Sequence, residues 1–280
     1  MRVVVLCSSV YSETACAMSL RLAERGYVPV GALSLGTLNR KTLLRKFGQW
    51  GPRKVARYAG AKILAQSIFA QNNDGKLQAH NPELQPLLRR GNETFRSMRD
   101  VAACYKFPVA ICNDQNAVDS IAQLKKWSPD VIVFTGGNIL RKQLLDVPRL
   151  GVLNVHLGLL PEVRGMSTPE WSLLKRVPVG ITIHYMDAGI DTGPILQRYE
   201  FHDVNRCESL GDLRNRLIAF GIDKMGEVVA ALDRGLIAGT PQSDLDKDNQ
   251  FFVMHEWLQA RAAELLTKNP TATIAGAIDG

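Results

Sequence analysis

Short aliphatic runs alternate along the chain with stretches whose apolar residues recur at helical spacing. Residues 2–7 (RVVVLC) form the first run and predict a buried parallel strand. Residues 13–25 follow with Ala15, Met18 and Leu22 on one face, Ser12 as a candidate cap and Gly26 as a stop. Residues 27–33 read as the next strand, which completes a βαβ start. Residues 37–73 predict two amphipathic helices broken at Gly51-Pro52, and residues 74–91, with Pro82 and Pro86, predict a loop. A helix over 93–105, a strand over 108–112, a helix over 116–126 and a strand over 130–134 come next. Strands follow at 152–156, 180–186 and 195–201. The stretch 157–169 between the first two reads as irregular, with Gly158, Pro161, Gly165 and Pro169 as breakers. Ser209 and Asp212 resemble a capping box that opens a long helix ending near Gly235. A helix over 251–266 and a frayed tail from 268 close the chain. Alternating strands and helices predict an α/β fold built on a mostly parallel twisted sheet with helices on both faces.

The densest chemistry lies in residues 151–194. Asn154 and His156 share one face of their strand, because side chains alternate with period two. The strand over 180–186 ends in a loop holding Asp187, Gly189, Asp191 and Gly193. An amide, an imidazole and a carboxylate at two strand ends can form one site. The amide donates to a developing oxyanion, the imidazole moves or stabilises a proton, and the carboxylate orients or accepts it. Either aspartate can fill the last role on position alone. His184 fits a structural hydrogen bond better than proton transfer. Ser167 lacks the G-x-S-x-G context of a hydrolase nucleophile. The loop after the 130–134 strand, Thr135-Gly136-Gly137-Asn138-Ile139-Leu140, lies where ligands bind in open α/β sheets. There Gly136 and Gly137 permit close backbone approach.

Composition narrows the class. A chain of 280 residues, 46% hydrophobic, can bury a sizeable core and has no apolar run long enough to span a bilayer. The first strand is too short to read as a signal peptide. Five scattered cysteines show no C-x-x-C pair, which points to a reducing cytoplasm and to no metal cluster. No dinucleotide fingerprint or P-loop is present. The net charge of +7 is concentrated in residues 37–73, where Arg40, Lys41, Arg45, Lys46, Arg53, Lys54, Arg57 and Lys62 occur with no Asp or Glu. Such clustering predicts an anionic partner, either an acceptor's phosphates or, more weakly, a membrane surface. The few aromatics there argue against specific nucleic-acid binding.

The ordered set N-x-H, L-L-P, R-G, G-x-T-x-H and D-x-G, within roughly residues 129–235, resembles the folate-dependent formyltransferase family. That family includes glycinamide ribonucleotide, methionyl-tRNA and sugar N-formyltransferases. The resemblance implies a Rossmann-like formyltransferase fold and 10-formyltetrahydrofolate as formyl donor, with no metal. It places the catalytic Asn, His and Asp on Asn154, His156 and Asp191, since Asp191-Thr192-Gly193 runs on into Pro194-Ile195 as the family's segment does. It assigns Gly136, Gly137, Asn138, Ile139, Leu140 and Asp187 to the donor.

For the acceptor, the resemblance implies Ser9, Arg164, Gly165, Pro169 and Trp171. Ser9 sits in a loop where relatives acting on phosphorylated nucleotides often have glycine, and its absence weakens a glycinamide ribonucleotide reading. R-G-x-x-x-P-x-W looks more like the sugar enzymes than the tRNA enzyme, so a nucleotide-linked amino sugar is the preferred acceptor. An amino acid such as a hydroxylated ornithine, methionyl-tRNA and a non-catalytic binding relative are the alternatives. The expected organisation is a catalytic domain over 1–235, with a basic helical insert over about 37–106, and a short helical extension over 236–280. That extension is too short for the β-barrel of the tRNA-acting members. A homodimer is a further expectation.

Overall fold

The computed structural model describes residues 1–36, 81–243 and 249–268. The two basic helices expected over 37–73 and the tail from 269 lie outside the described residues. The chain divides into two compact units, Met1–Leu150 and Gly151–Gly280.

The strands of the main sheet that lie in the first unit are all parallel. β1 (Val3–Cys7) lies between β2 (Gly31–Leu35) and β6 (Val131–Phe134), and β2 also pairs with β5 (Val109–Cys112). Val3, Val4, Val5 and Leu6 have no exposed surface, which is why this strand reads as an unbroken aliphatic run. Among the described residues, the unit also holds helices α1 (Glu13–Glu24), α2 (Met98–Tyr105), α3 (Val118–Trp127) and α4 (Lys142–Leu145). Ser12 caps α1 by accepting from the Ala15 N–H at 3.2 Å.

Three boundaries differ from the pattern-based expectation. β2 starts at Gly31 rather than residue 27, because Pro29 has no N–H to give a ladder and pairing begins with Val30 N–H donating to the Val3 carbonyl. The expected loop before residue 91 holds two 3-10 turns, Pro82–Leu84 and Pro86–Leu88. Each is opened by proline at a position where no N–H is needed. The helix expected from 93 starts at Met98. Glu93–Thr94 (β4) is instead paired with Arg89–Arg90 (β3), and Ser97 and Asp100 form a reciprocal capping box.

The second unit carries an antiparallel sheet in the order β10 (Ile195–Glu200), β9 (Gly180–Tyr185), β7 (Gly151–His156). The long helix α6 (Leu210–Asp233) buries Leu213 and Leu217 with Val179 and Ile181 of the sheet side and Leu266 of α7 (Glu256–Lys268). Ser209 accepts from the Asp212 N–H, but the Asp212 carboxylate takes the Glu208 N–H instead of closing the box. The stretch 157–169 is less irregular than expected. Arg164–Gly165 (β8) pairs in parallel with Gln250–Phe251 (β11), and α5 (Thr168–Lys175) begins there with proline in its first turn. That pairing also corrects the C-terminal helix, which starts at Glu256 rather than 251, because the Phe251 carbonyl accepts from the Met166 N–H.

Candidate active site

Strand pairing builds the centre of the site. In the β7–β9 register Asn154 lies opposite His184 and His156 opposite Thr182. Asn154 Nδ2 is 3.2 Å from His184 Nε2, and His184 Nδ1 is 2.8 Å from the Tyr185 carbonyl oxygen. A carbonyl only accepts, so His184 carries its proton on Nδ1 and its Nε2 accepts from the Asn154 amide. Thr182, the threonine of G-x-T-x-H, accepts from the Leu160 N–H and donates to the Gly158 carbonyl, tying the 157–160 loop to β9.

His156 is held from both sides of its ring. Its Nε2 is 2.7 Å from the Val163 carbonyl, and its Nδ1 is 3.4 Å from Asp191 Oδ2. The same carboxylate lies 3.7 Å from His184 Nε2 through Oδ1, and the two imidazoles stand edge to face with centroids 6.2 Å apart. Asp191 Oδ2 also accepts from the Gly165 N–H at 2.9 Å. His156 and His184 are buried at 5% and 2% exposure, whereas the Asp191 side chain keeps 17% of its surface. Burial, reinforced by the neighbouring His156, pushes His184 down from the usual imidazole range to about 4, against the opposing pull of Asp191. His184 is therefore neutral across the physiological range.

The two candidate aspartates separate by geometry. Asp187 accepts from the Gly189 N–H and the Thr192 hydroxyl at 3.0 and 2.7 Å, closing its own loop. Asp191, in the left-handed region at φ +53, turns back toward the imidazoles. Asn154, His156 and Asp191 thus meet in one place, all within the second unit. Arg164 is buried, and Pro169 is buried in the first turn of α5. Trp171 stacks on Phe251 at 4.8 Å and donates from Nε1 to the Phe252 carbonyl at 3.1 Å. Gly165 sits at φ +94 with a Cβ position only 2.1 Å from the Phe251 carbonyl oxygen, so no side chain fits there. The Val163 carbonyl and the Gln242 side chain, which reaches the 191–193 backbone, had no sequence signal. A backbone group is invisible to motif reading, and Gln242 is far along the chain.

In the first unit the loop after β6 is stiffened by side-chain to backbone bonds. The fully buried Gln115 accepts from the Asn138 N–H at 3.0 Å, and its own N–H donates to Asn138 Oδ1 at 3.3 Å. Asn116 donates to the Ile139 carbonyl at 3.0 Å. A Cβ on Gly137, at φ +155, would fall 2.0 Å from Gln115 Oε1. Gly137 is exposed, Ile139 is 86% exposed and Leu140 is buried. Ser9 Oγ accepts from the Tyr11 N–H, within its own turn. Among the described residues no group of three or more His, Cys, Asp or Glu could hold a metal ion, and no helix is long and apolar enough to cross a membrane.

A family profile described as formyl transferase matches residues 88–229. The chain is 38% identical over 125 residues to a methionyl-tRNA formyltransferase of Alkaliphilus metalliredigens, a match covering 44% of this chain and 40% of that protein. The chain matches 40% to 57% of the length of three such curated relatives. Among solved structures, the phosphoribosylglycinamide formyltransferase of Anaplasma phagocytophilum has a TM-score of 0.53 at 17% identity, covering 90% of this chain and 98% of that one. A sugar N-formyltransferase from a Shewanella species has a TM-score of 0.52 at 16% identity, covering 90% and 77%. These likenesses establish the Rossmann-like formyltransferase fold.

Proposed function

The chain belongs to the formyl transferase family, and from that premise we propose that it transfers a formyl group from 10-formyltetrahydrofolate to the amine of a small acceptor. The observation that carries the proposal is the meeting of Asn154, His156 and Asp191 at one point of the second unit. When bound, the donor supplies an electrophilic formyl carbon. The loop over 135–140 would hold its flat ring system: Gly137 offers exposed backbone, Ile139 an exposed apolar side chain, and Gln115 keeps the loop rigid.

The chain's own groups divide the work. The Asn154 amide spends one N–H on His184 and has a second for the oxygen that gains negative charge as the amine attacks. His156, with Nε2 donating to Val163, turns Nδ1 toward Asp191. A proton leaving the attacking nitrogen can be taken at the Asp191 carboxylate, shared with that Nδ1, and passed on to the donor nitrogen as its bond to the formyl carbon breaks.

The preferred acceptor is a nucleotide-linked amino sugar, a reading supported by the R-G-x-x-x-P-x-W segment at Arg164, Gly165, Pro169 and Trp171. A second reading, methionyl-tRNA, is supported by the names of the curated relatives. The test is mass spectrometry of products after incubation with 10-formyltetrahydrofolate and a panel of amino sugar nucleotides, hydroxylated ornithine and methionyl-tRNA. A formylated sugar nucleotide is expected. Formylation of methionyl-tRNA alone would overturn the acceptor assignment but keep the reaction. Absence of any formylated product, with the donor unconsumed, would overturn the reaction itself.

A further inference from the structure

Gln242 lies beyond the end of α6, in the segment leading to β11. Its Nε2 is 3.0 Å from the Asp191 carbonyl oxygen and 2.7 Å from the Gly193 carbonyl oxygen. Both partners accept only. The amide nitrogen must therefore face them, and both of its N–H bonds are used. Two residues earlier, Thr240 and Ile195 exchange N–H···O bonds of 2.8 Å in each direction, so Gln242 reaches the loop from a backbone already paired to its far side. Its Oε1 is buried without a partner among the described residues, a desolvation cost that the two donated bonds must offset.

The loop that Gln242 grips is the one whose shape matters. Asp191 adopts φ +53, a region that a residue with a Cβ enters reluctantly. Its side chain is fixed separately, by the Gly165 N–H on Oδ2. Main chain and carboxylate are thus held by two different residues, and the outcome is Oδ2 at 3.4 Å from His156 Nδ1.

We infer that Gln242 is a positioning residue for the proton-accepting carboxylate. It keeps the 191–193 backbone in the left-handed turn that aims Asp191 at His156. The inference rests on the reading of Asp191 as proton acceptor. A plain loop staple would hold the same two carbonyls, and the two roles differ in what they do to the rate when Asp191 can no longer take a proton.

The test is a double-mutant cycle on the full chain, with Gln242→Ala, Asp191→Asn and the pair, reading kcat, both KM values and the thermal midpoint. Gln242→Ala is expected to lower kcat about 10- to 100-fold, the scale of a small misplacement of a catalytic group. The donor KM should stay within about twofold. In the Asp191→Asn background the same change should cost nothing further, since groups acting through one another are not additive. Gln242→Glu keeps the shape but presents oxygen to both carbonyls, and it should be at least as slow. Gln242→Asn withdraws the same amide by one methylene and serves if the other variants unfold. It should lose rate while its thermal midpoint stays near that of the parent. Equal losses in both backgrounds, or parental kcat in Gln242→Glu or Gln242→Asn, would overturn the inference and leave Asp191 in its role. Parental kcat in Asp191→Asn would overturn the reading of Asp191, and the inference with it.

Discussion

His184 and Asn154 face each other across the β7–β9 pair, and each determines where the other's hydrogens lie. The Tyr185 carbonyl draws the imidazole proton to Nδ1, which leaves Nε2 as an acceptor. The Asn154 amide nitrogen must then point at it. This orients an amide that at the sequence level had two equivalent ways to lie, and it gives His184 a supporting task distinct from that of His156.

Asn154→Ala removes the donor for the developing oxyanion. Turnover is expected to fall roughly a hundredfold or more, as for other losses of an oxyanion donor. His156→Ala is expected to fall by a similar factor, with donor affinity changing much less in both. Steady-state kinetics with equilibrium binding of the folate checks this, and full activity in either variant would sink the role.

Asp191→Asn keeps the size of the side chain and an oxygen for the Gly165 N–H, but it cannot take a proton. Turnover is expected to collapse while the thermal midpoint moves little. Circular dichroism and kcat measured together decide it: an unfolded variant would mean that the carboxylate serves the fold rather than the chemistry.

Much of the sheet was legible because buried parallel strands are uninterrupted apolar runs, as in Val131–Phe134. The candidate site was legible because its residues stand at strand ends with motif spacing. What escaped was set by partners distant in sequence. Nothing in Gln250-Phe251 marks a strand; it becomes one because Arg164–Gly165 presents an edge to it. Glu93-Thr94 likewise leaves its helical pattern for a ladder with Arg89–Arg90. Asp187 and Asp191 share the D-x-G pattern, and the segment running from Asp191 into Pro194 favoured Asp191; that Asp187 turns inward on Gly189 and Thr192 was not legible.

Gly165 is a test of how tightly β8 and β11 are coupled to the site. An alanine there meets the Phe251 carbonyl and must hold φ +94. Gly165→Ala is expected to destabilise by about 1–3 kcal/mol, the range for enforced backbone strain. Because the Gly165 N–H holds Asp191 Oδ2, turnover should fall more than the lost folded fraction explains. A thermal midpoint equal to the parent's, with unchanged kcat, would show that the two strands are loosely joined.

The depressed His184 makes a prediction about acid. Its ring is at 2% exposure and its pKa is lowered to about 4 by burial and by His156, while an unfolded histidine titrates near 6.5. Between those values the unfolded chain binds a proton that the native chain refuses. Stability therefore rises with pH through this window, is fully present above about 6.5, and is lost as pH falls toward 4. One proton of difference corresponds to a slope of about 1.4 kcal/mol per pH unit. Other groups titrate in the same range, so the comparison must be with His184→Gln, which cannot charge and can still accept from Asn154. Urea unfolding at pH 7, 6 and 5 should show the parent losing stability more steeply than the variant below pH 6.5, with the two running parallel above it. Identical slopes throughout would mean that His184 titrates normally in the native state. The neutral imidazole that orients Asn154 would then be absent at mildly acidic pH.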